Sequence, residues 1–305
     1  MRVCAVLLLM AGISAAAVAE DYRAAKPGEL LQVRLEQLHP TQAVVGYDQI
    51  FYKLGRFAKE PNKLFDEYCE GNGQGESSKV PKGANLHQPD SFSCQGAVAS
   101  RSSEMKTVVV GPEGQLYLTD GHHTFTTLWE QPEGGAKLQM WVKVTDNFSD
   151  SADLASFWQR MQTARKVWLK DGQGQMINPE QIPAQLGLAN LGDDPYRALV
   201  YFTREVAYDK PRSGDVAPEF LEFYWGNWLR GQLNLSEYDL RDKGNYRDAI
   251  AAAAKLMVAL EANSTVGDSG FKAAQLGGYS SVDRKEMGKM ASKKLPYMVA
   301  YKATR

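Results

Sequence analysis

The sequence predicts an α+β fold in which a small α/β unit is followed by a mostly helical C-terminal region. Three observations carry this. Apolar and polar residues alternate with a period of two near 31–35, 116–119 and 138–144, as half-buried strands require. Between these runs, apolar residues recur at helical spacing near 44–54 and 125–129. From residue 151 onward helical spacing prevails.

At the N-terminus, Met1-Arg2 supplies a positive charge, Val3 to Ile13 is apolar, and Ala17-Val18-Ala19 ends the run with small residues. That layout predicts a secretory signal peptide over 1–19, cleaved between Ala19 and Glu20, and a periplasmic or secreted mature protein. No later stretch is long and apolar enough to span a bilayer, so no membrane contact is expected after cleavage. Removing the signal removes Cys4 and leaves Cys69 and Cys94 as the only thiols. In an oxidising compartment these predict a disulfide, stabilising by roughly 3 kcal/mol through loop closure. The 35 basic and 36 acidic residues give a formal net charge of −1. This argues against a DNA-coating surface and leaves a small anionic substrate open.

In chain order, an arm to Gly28 precedes a strand from Leu31 that ends at Leu38-His39-Pro40. Thr41 is positioned to cap a helix with Val44, Val45, Tyr47, Ile50, Phe51 and Leu54 on its apolar face, weakened by Gly46. A second short helix is expected around Pro61 to Tyr68. The Gly- and Ser-rich segment between the two cysteines, with His87, reads either as a lid or as a solvated insertion. Thr107 to Val110 and Leu116 to Thr119 form a hairpin about Gly111-Pro112-Glu113-Gly114, and Leu138 to Val144 a further strand. The α/β unit therefore covers 20–150 and the helical region 151–305. In the latter, Ser151 or Asp153 caps a helix to about Leu169, and Asp194-Pro195 starts one to about Tyr208. Aromatic residues crowd a helix from Pro218 to Arg230, where large rings mark core. Tyr246 to Ala262 is Ala-rich and helical, and Arg284 to Lys294 reads as a solvated basic tail.

The densest chemistry lies in Leu116 to Trp129, LYLTDGHHTFTTLW. Asp120-Gly121 is a turn signal, and Phe125, Leu128 and Trp129 take helical spacing after it. Two of the four histidines thus sit at a helix N-terminus, where free N–H groups and the helix dipole favour an anion. His122 and His123 point about 100° apart, so one faces a ligand while the other packs or bonds backbone. The expected catalytic set is Asp120, His122 and His123, with a histidine as general acid or base and Asp120 orienting it or holding a cation. A divalent metal ion is a further option, although the trio lacks zinc-specific spacing. Thr124 and Thr126 add hydroxyls.

Together with Leu38-His39-Pro40-Thr41-Gln42, Val45-Gly46-Tyr47-Asp48, Asp194-Pro195-Tyr196-Arg197 and Phe220-Leu221-Glu222-Phe223, this turn resembles the putative ParB-like nuclease family of the ParB/sulfiredoxin fold. The resemblance covers most of the mature chain. It implies a ParB/sulfiredoxin-like domain over 20–150 and extends the expected binding set to Gly121, Thr124, Gln42 and Asp48. Sulfiredoxins carry Gly-Cys-His-Arg at this turn and ParB clamps carry Gly-Glu-Arg-Arg; here the positions are Gly121, His122, His123 and Thr124, without the nucleophile or the arginines. CTP-driven DNA clamping is therefore not expected. The reading that follows is an exported nuclease or phosphoester hydrolase acting on a phosphorylated or other anionic small molecule, or on nucleic acid. A non-catalytic anion-binding module and a phosphotransferase are the alternatives.

Overall fold

The computed structural model describes residues 21–211 and 217–305; the expected signal peptide lies outside them. The first elements are β1 (Leu30–Arg34), β2 (Leu38–Pro40), β3 (Val44–Val45), α1 (Tyr47–Lys59), α2 (Asn62–Gly71), β4 (Ser77–Lys79) and β5 (Ser93–Cys94). They are followed by β6 (Lys106–Val110), β7 (Leu116–Asp120), α3 (His122–Trp129) and β8 (Gln139–Asn147). The remainder contains α4 (Leu154–Thr163), β9 (Gly192–Asp193), α5 (Pro195–Thr203), α6 (Leu221–Arg230), α7 (Lys243–Ala259), α8 (Arg284–Lys289) and α9 (Leu295–Lys302). The molecule is α+β, with a five-stranded sheet followed by a helical C-terminal region.

The sheet order is β1-β8-β6-β7-β2. β6 and β7 form an antiparallel hairpin, while β8 runs parallel to β6 and β2 parallel to β7. One face buries Val108, Val110, Leu116, Leu118, Met140, Val142 and Val144 against Phe125 and Leu128 of α3 and Ile50 and Leu54 of α1. The other face packs Val109 and Tyr117 onto Phe157 and Met161 of α4. Each fully buried apolar side chain contributes about 1.5–3 kcal/mol, so the alternation along β8 suffices to hold its register.

Several expected boundaries move, each for a local reason. The single strand to Pro40 is broken by a 3-10 turn at Leu35–Gln37. Val44 and Val45 belong to a parallel pairing with β9, so α1 begins only at Tyr47 with Gly46 as its N-cap. Thr41 caps nothing; its hydroxyl donates to Leu118 O at 2.6 Å. Asp153 caps α4 as expected, but α4 stops at Thr163, and Trp168 instead stacks on Phe223. Asp194 caps α5 through the N–H groups of Tyr196 and Arg197, yet α5 ends at Thr203. α6 starts at Leu221 because Phe220 adopts a left-handed conformation.

Cys69 and Cys94 form the expected disulfide. The segment between them is anchored by Leu86 and Phe92 in the core while most of residues 78–90 stay exposed, closer to the expected solvated insertion than to a lid. His87 Nε2 lies 2.9 Å from Gly134 O, away from the cavity described below. Arg284–Lys294 is helical and largely solvent-facing, as expected, with Met290 alone of it entering the core; the chain then continues into α9. α9 lies along α1, with Leu295 and Met298 joining Leu199, Phe202, Trp225, Ile250 and Met257 around Phe51 and Tyr52 of α1. Gly55 permits this approach, since a Cβ there would fall 2.3 Å from the Tyr297 carbonyl oxygen.

Candidate active site

The strand-to-helix turn at 120–124 opens into a cavity of about 350 Å³ between α1, α2, α3 and α5. Gly121 makes the turn possible: its φ of +114° is open to glycine and strained for other residues. Phe125 N–H is the first to bond within α3, to Gly121 O, so the N–H groups before it lie at the free end of the helix.

Both histidines are buried and both are fixed by backbone from other elements. His122 Nε2 accepts from Thr41 N–H at 3.1 Å, and His123 Nε2 accepts from Gly46 N–H at 2.9 Å. An imidazole that accepts at Nε2 and is neutral carries its proton on Nδ1, which assigns the tautomer of each ring. Neutrality follows from burial. Desolvation, opposed by the Asp120 charge and reinforced by Arg197, lowers His122 to about 3, and burial beside Arg197 lowers His123 well below its usual value. Both rings are thus held in the neutral form, each with its proton on Nδ1.

Arg197, only 5% exposed, completes the donor set. Its Nη1 donates to Gln49 Oε1 at 3.0 Å, Nη2 lies 3.8 Å from Glu222 and 3.5 Å from His123 Nδ1, and Nε has no partner among the described residues. The 3.5 Å contact joins two donors, because the shorter bond from Gly46 already takes the Nε2 lone pair.

The opposite wall belongs to α2. Glu67 pairs with Lys53, whose Nζ lies 3.3 Å from Thr124 Oγ1. Glu70 also lines the cavity from an exposed position, where partial desolvation and then the Glu67 charge push its carboxyl up to about 7. Asp120 stands at the rim, 51% exposed and 4.0 Å from Lys106. Burial would raise its carboxyl, but Lys106 and Lys210 outweigh it and hold it below the usual range.

Of the residues expected from sequence, Asp120, Gly121, His122, His123, Thr124 and Gln42 all line this cavity. Asp48 does not. It is buried and paired at 2.8 Å with Lys302 of α9, so its carboxylate ties the C-terminus to α1. A divalent cation finds no histidine ligand here, since each Nε2 lone pair is used by backbone. Among the described residues no three His, Cys, Asp or Glu side chains converge as a metal-binding group. Lys53, Glu67, Glu70, Arg197 and Glu222 were not singled out from sequence as site residues. Arg197 and Glu222 nevertheless stand inside the quoted Asp194-Pro195-Tyr196-Arg197 and Phe220-Leu221-Glu222-Phe223 segments, which is where a signal for them lay.

A family model described as putative ParB-like nuclease matches residues 31–231. No curated protein matches the chain. Among solved structures, protein Atu1540 from Agrobacterium tumefaciens is similar at 23% identity and a TM-score of 0.49, covering 75% of this chain and 90% of that one.

Proposed function

The chain belongs to the putative ParB-like nuclease family, and from that premise we propose that its cavity binds a phosphorylated ligand and hydrolyses a phosphoester bond. The observation that carries this reading is that His122, His123 and the buried Arg197 line one cavity beside the start of α3, with Arg197 Nη2 3.5 Å from His123 Nδ1. Neutral Nδ1–H groups, a buried guanidinium and helix-start amides match the oxygens of a phosphate, and act most strongly where charge develops in the transition state. Glu70 supplies the acid–base group, because a carboxyl near 7 exchanges its proton at neutral pH. Water attacks phosphorus while Glu70 takes its proton; the ester P–O bond breaks, and the leaving oxygen is protonated as Glu70 returns to the carboxylate. Export is part of the proposal, supported by the apolar run at Val3–Ile13 and by the Cys69–Cys94 disulfide.

The neutral histidines also favour a second reading, a module that holds the anion without turnover. Purified protein assayed on generic phosphomonoesters and phosphodiesters, with and without Mg²⁺, Mn²⁺ and Zn²⁺, separates the two. Hydrolysis that falls about 100-fold or more in Glu70→Gln, with phosphate binding kept, supports the enzyme. Phosphate-induced thermal stabilisation that Arg197→Met abolishes, without hydrolysis of any ester, supports the binding module. Undiminished hydrolysis in both variants would remove the proposed site.

A further inference from the structure

A second recess adjoins the first. Tyr52, Arg56 and Arg204 line both, so the two meet across these side chains. The far wall of the second recess is a five-residue π-helical segment, Met290–Lys294, between α8 and α9. Its local origin is Pro296, which has no N–H to give to the preceding turn, so the backbone widens there. The widened turn places Lys294 Nζ 5.1 Å from the centroid of the Tyr201 ring, and Tyr201 itself lines the first cavity.

The charges of this recess do not cancel. Of its carboxylates, Glu60 accepts from Tyr297 and lies 3.7 Å from Arg56, and Glu286 pairs with Lys289 at 2.6 Å. Glu205 remains as the one carboxylate lining the recess with no ion pair there, against the two cations Lys293 and Lys294, neither of which has an ion-pair partner among the described residues. The Lys294 ammonium rests on an aromatic face instead, a contact that holds a cation in place while leaving its hydrogens free.

We propose that the Met290–Lys294 turn is a second anion subsite, and that the ligand of the first cavity is elongated and carries a second negative group, which passes Tyr52 and Tyr201 to reach Lys293 and Lys294. This rests on the phosphate reading of the first cavity. Lys294 and Lys293 would then select for ligand length and charge, while the donor cluster around His123 and Arg197 holds the group common to all ligands.

Calorimetric titration of the full chain with phosphate, pyrophosphate and linear polyphosphates of increasing length tests it. The expected result is a gain in affinity of about tenfold or more once the chain reaches the turn. That gain is lost in Lys293→Gln/Lys294→Gln and restored in Lys293→Arg/Lys294→Arg, with phosphate affinity the same in all three proteins. Equal affinity for short and long chains, or a gain that survives the glutamine variant, would overturn the subsite. Polyphosphate binding that survives Arg197→Met but is lost in the glutamine variant would support the turn and remove the reading of the first cavity. Failure to bind phosphate or polyphosphate at all would remove both.

Discussion

The two histidines are held by backbone from distant segments, and this makes their protonation a stability term. An imidazole that folding keeps neutral contributes its full stability above the unfolded value near 6.5 and loses it as pH falls; for His122 the loss continues toward about 3. Glu70 behaves in the opposite sense. Its raised carboxyl contributes fully below about 4.5, and that contribution is lost as pH rises to about 7. Between 4.5 and 6.5 the two slopes oppose one another. Each reaches at most about 1.4 kcal/mol per pH unit, and less for Glu70 because water screens it. Denaturant titrations across pH should therefore show that His122→Gln removes acid-side loss below 6.5, whereas Glu70→Gln removes loss between 4.5 and 7. Profiles parallel to the parent would contradict both assignments. At Gly121 the backbone decides. A Cβ would meet the Lys106 side chain at 2.7 Å with φ at +114°, so Gly121→Ala should destabilise by about 1–3 kcal/mol, read by the same titration. The turn itself was legible at this scale, because Asp-Gly between an alternating strand and a helical period is local chemistry. Arg197 was legible only as a member of the Asp194-Pro195-Tyr196-Arg197 segment; its facing a histidine 74 residues away was not.

At the scale of elements, α1 does the joining. One side of it packs on the sheet core through Ile50 and Leu54, and another holds Phe51 and Tyr52 in the helical core. α9 reaches that second side only because position 55 lacks a side chain. In Gly55→Ala the new methyl meets backbone rather than a yielding side chain, so α9 must shift. Alanine's better helix propensity offsets up to about 1 kcal/mol. Overpacking outweighs it, and a net loss of about 1–2 kcal/mol is expected by thermal or chemical unfolding. A gain in stability would show that α9 does not dock there. Helix starts were readable where a capping carboxylate precedes them, as at Asp153 and Asp194. Helix ends were not. α4 and α5 stop because tertiary partners take over: Trp168 leaves for Phe223, and Val206, Ala207 and Tyr208 enter the helical core.

Across the whole molecule, the disulfide closes a separation of 25 residues and fixes α2, which carries Glu67 and Glu70, to the β4–β5 pair. Cys69→Ser/Cys94→Ser should lower stability by about 3 kcal/mol in denaturant titration; a loss below about 1 kcal/mol would mean the loop is held by Leu86 and Phe92 alone. The amino-acid sequence by itself determined the α+β class, the hairpin, the turn with its helix start, and the cysteine pairing. Each of these follows from short-range period, turn chemistry, or the elimination of other partners. Only the tertiary structure decided what the histidines face, that Arg197 and Glu70 join them, that Asp48 serves α9 rather than the cavity, and that a π-helical turn borders it. Those are contacts across separations of up to 254 residues. They depend on how packed elements exclude water and satisfy buried donors, and no local pattern in the chain encodes that geometry.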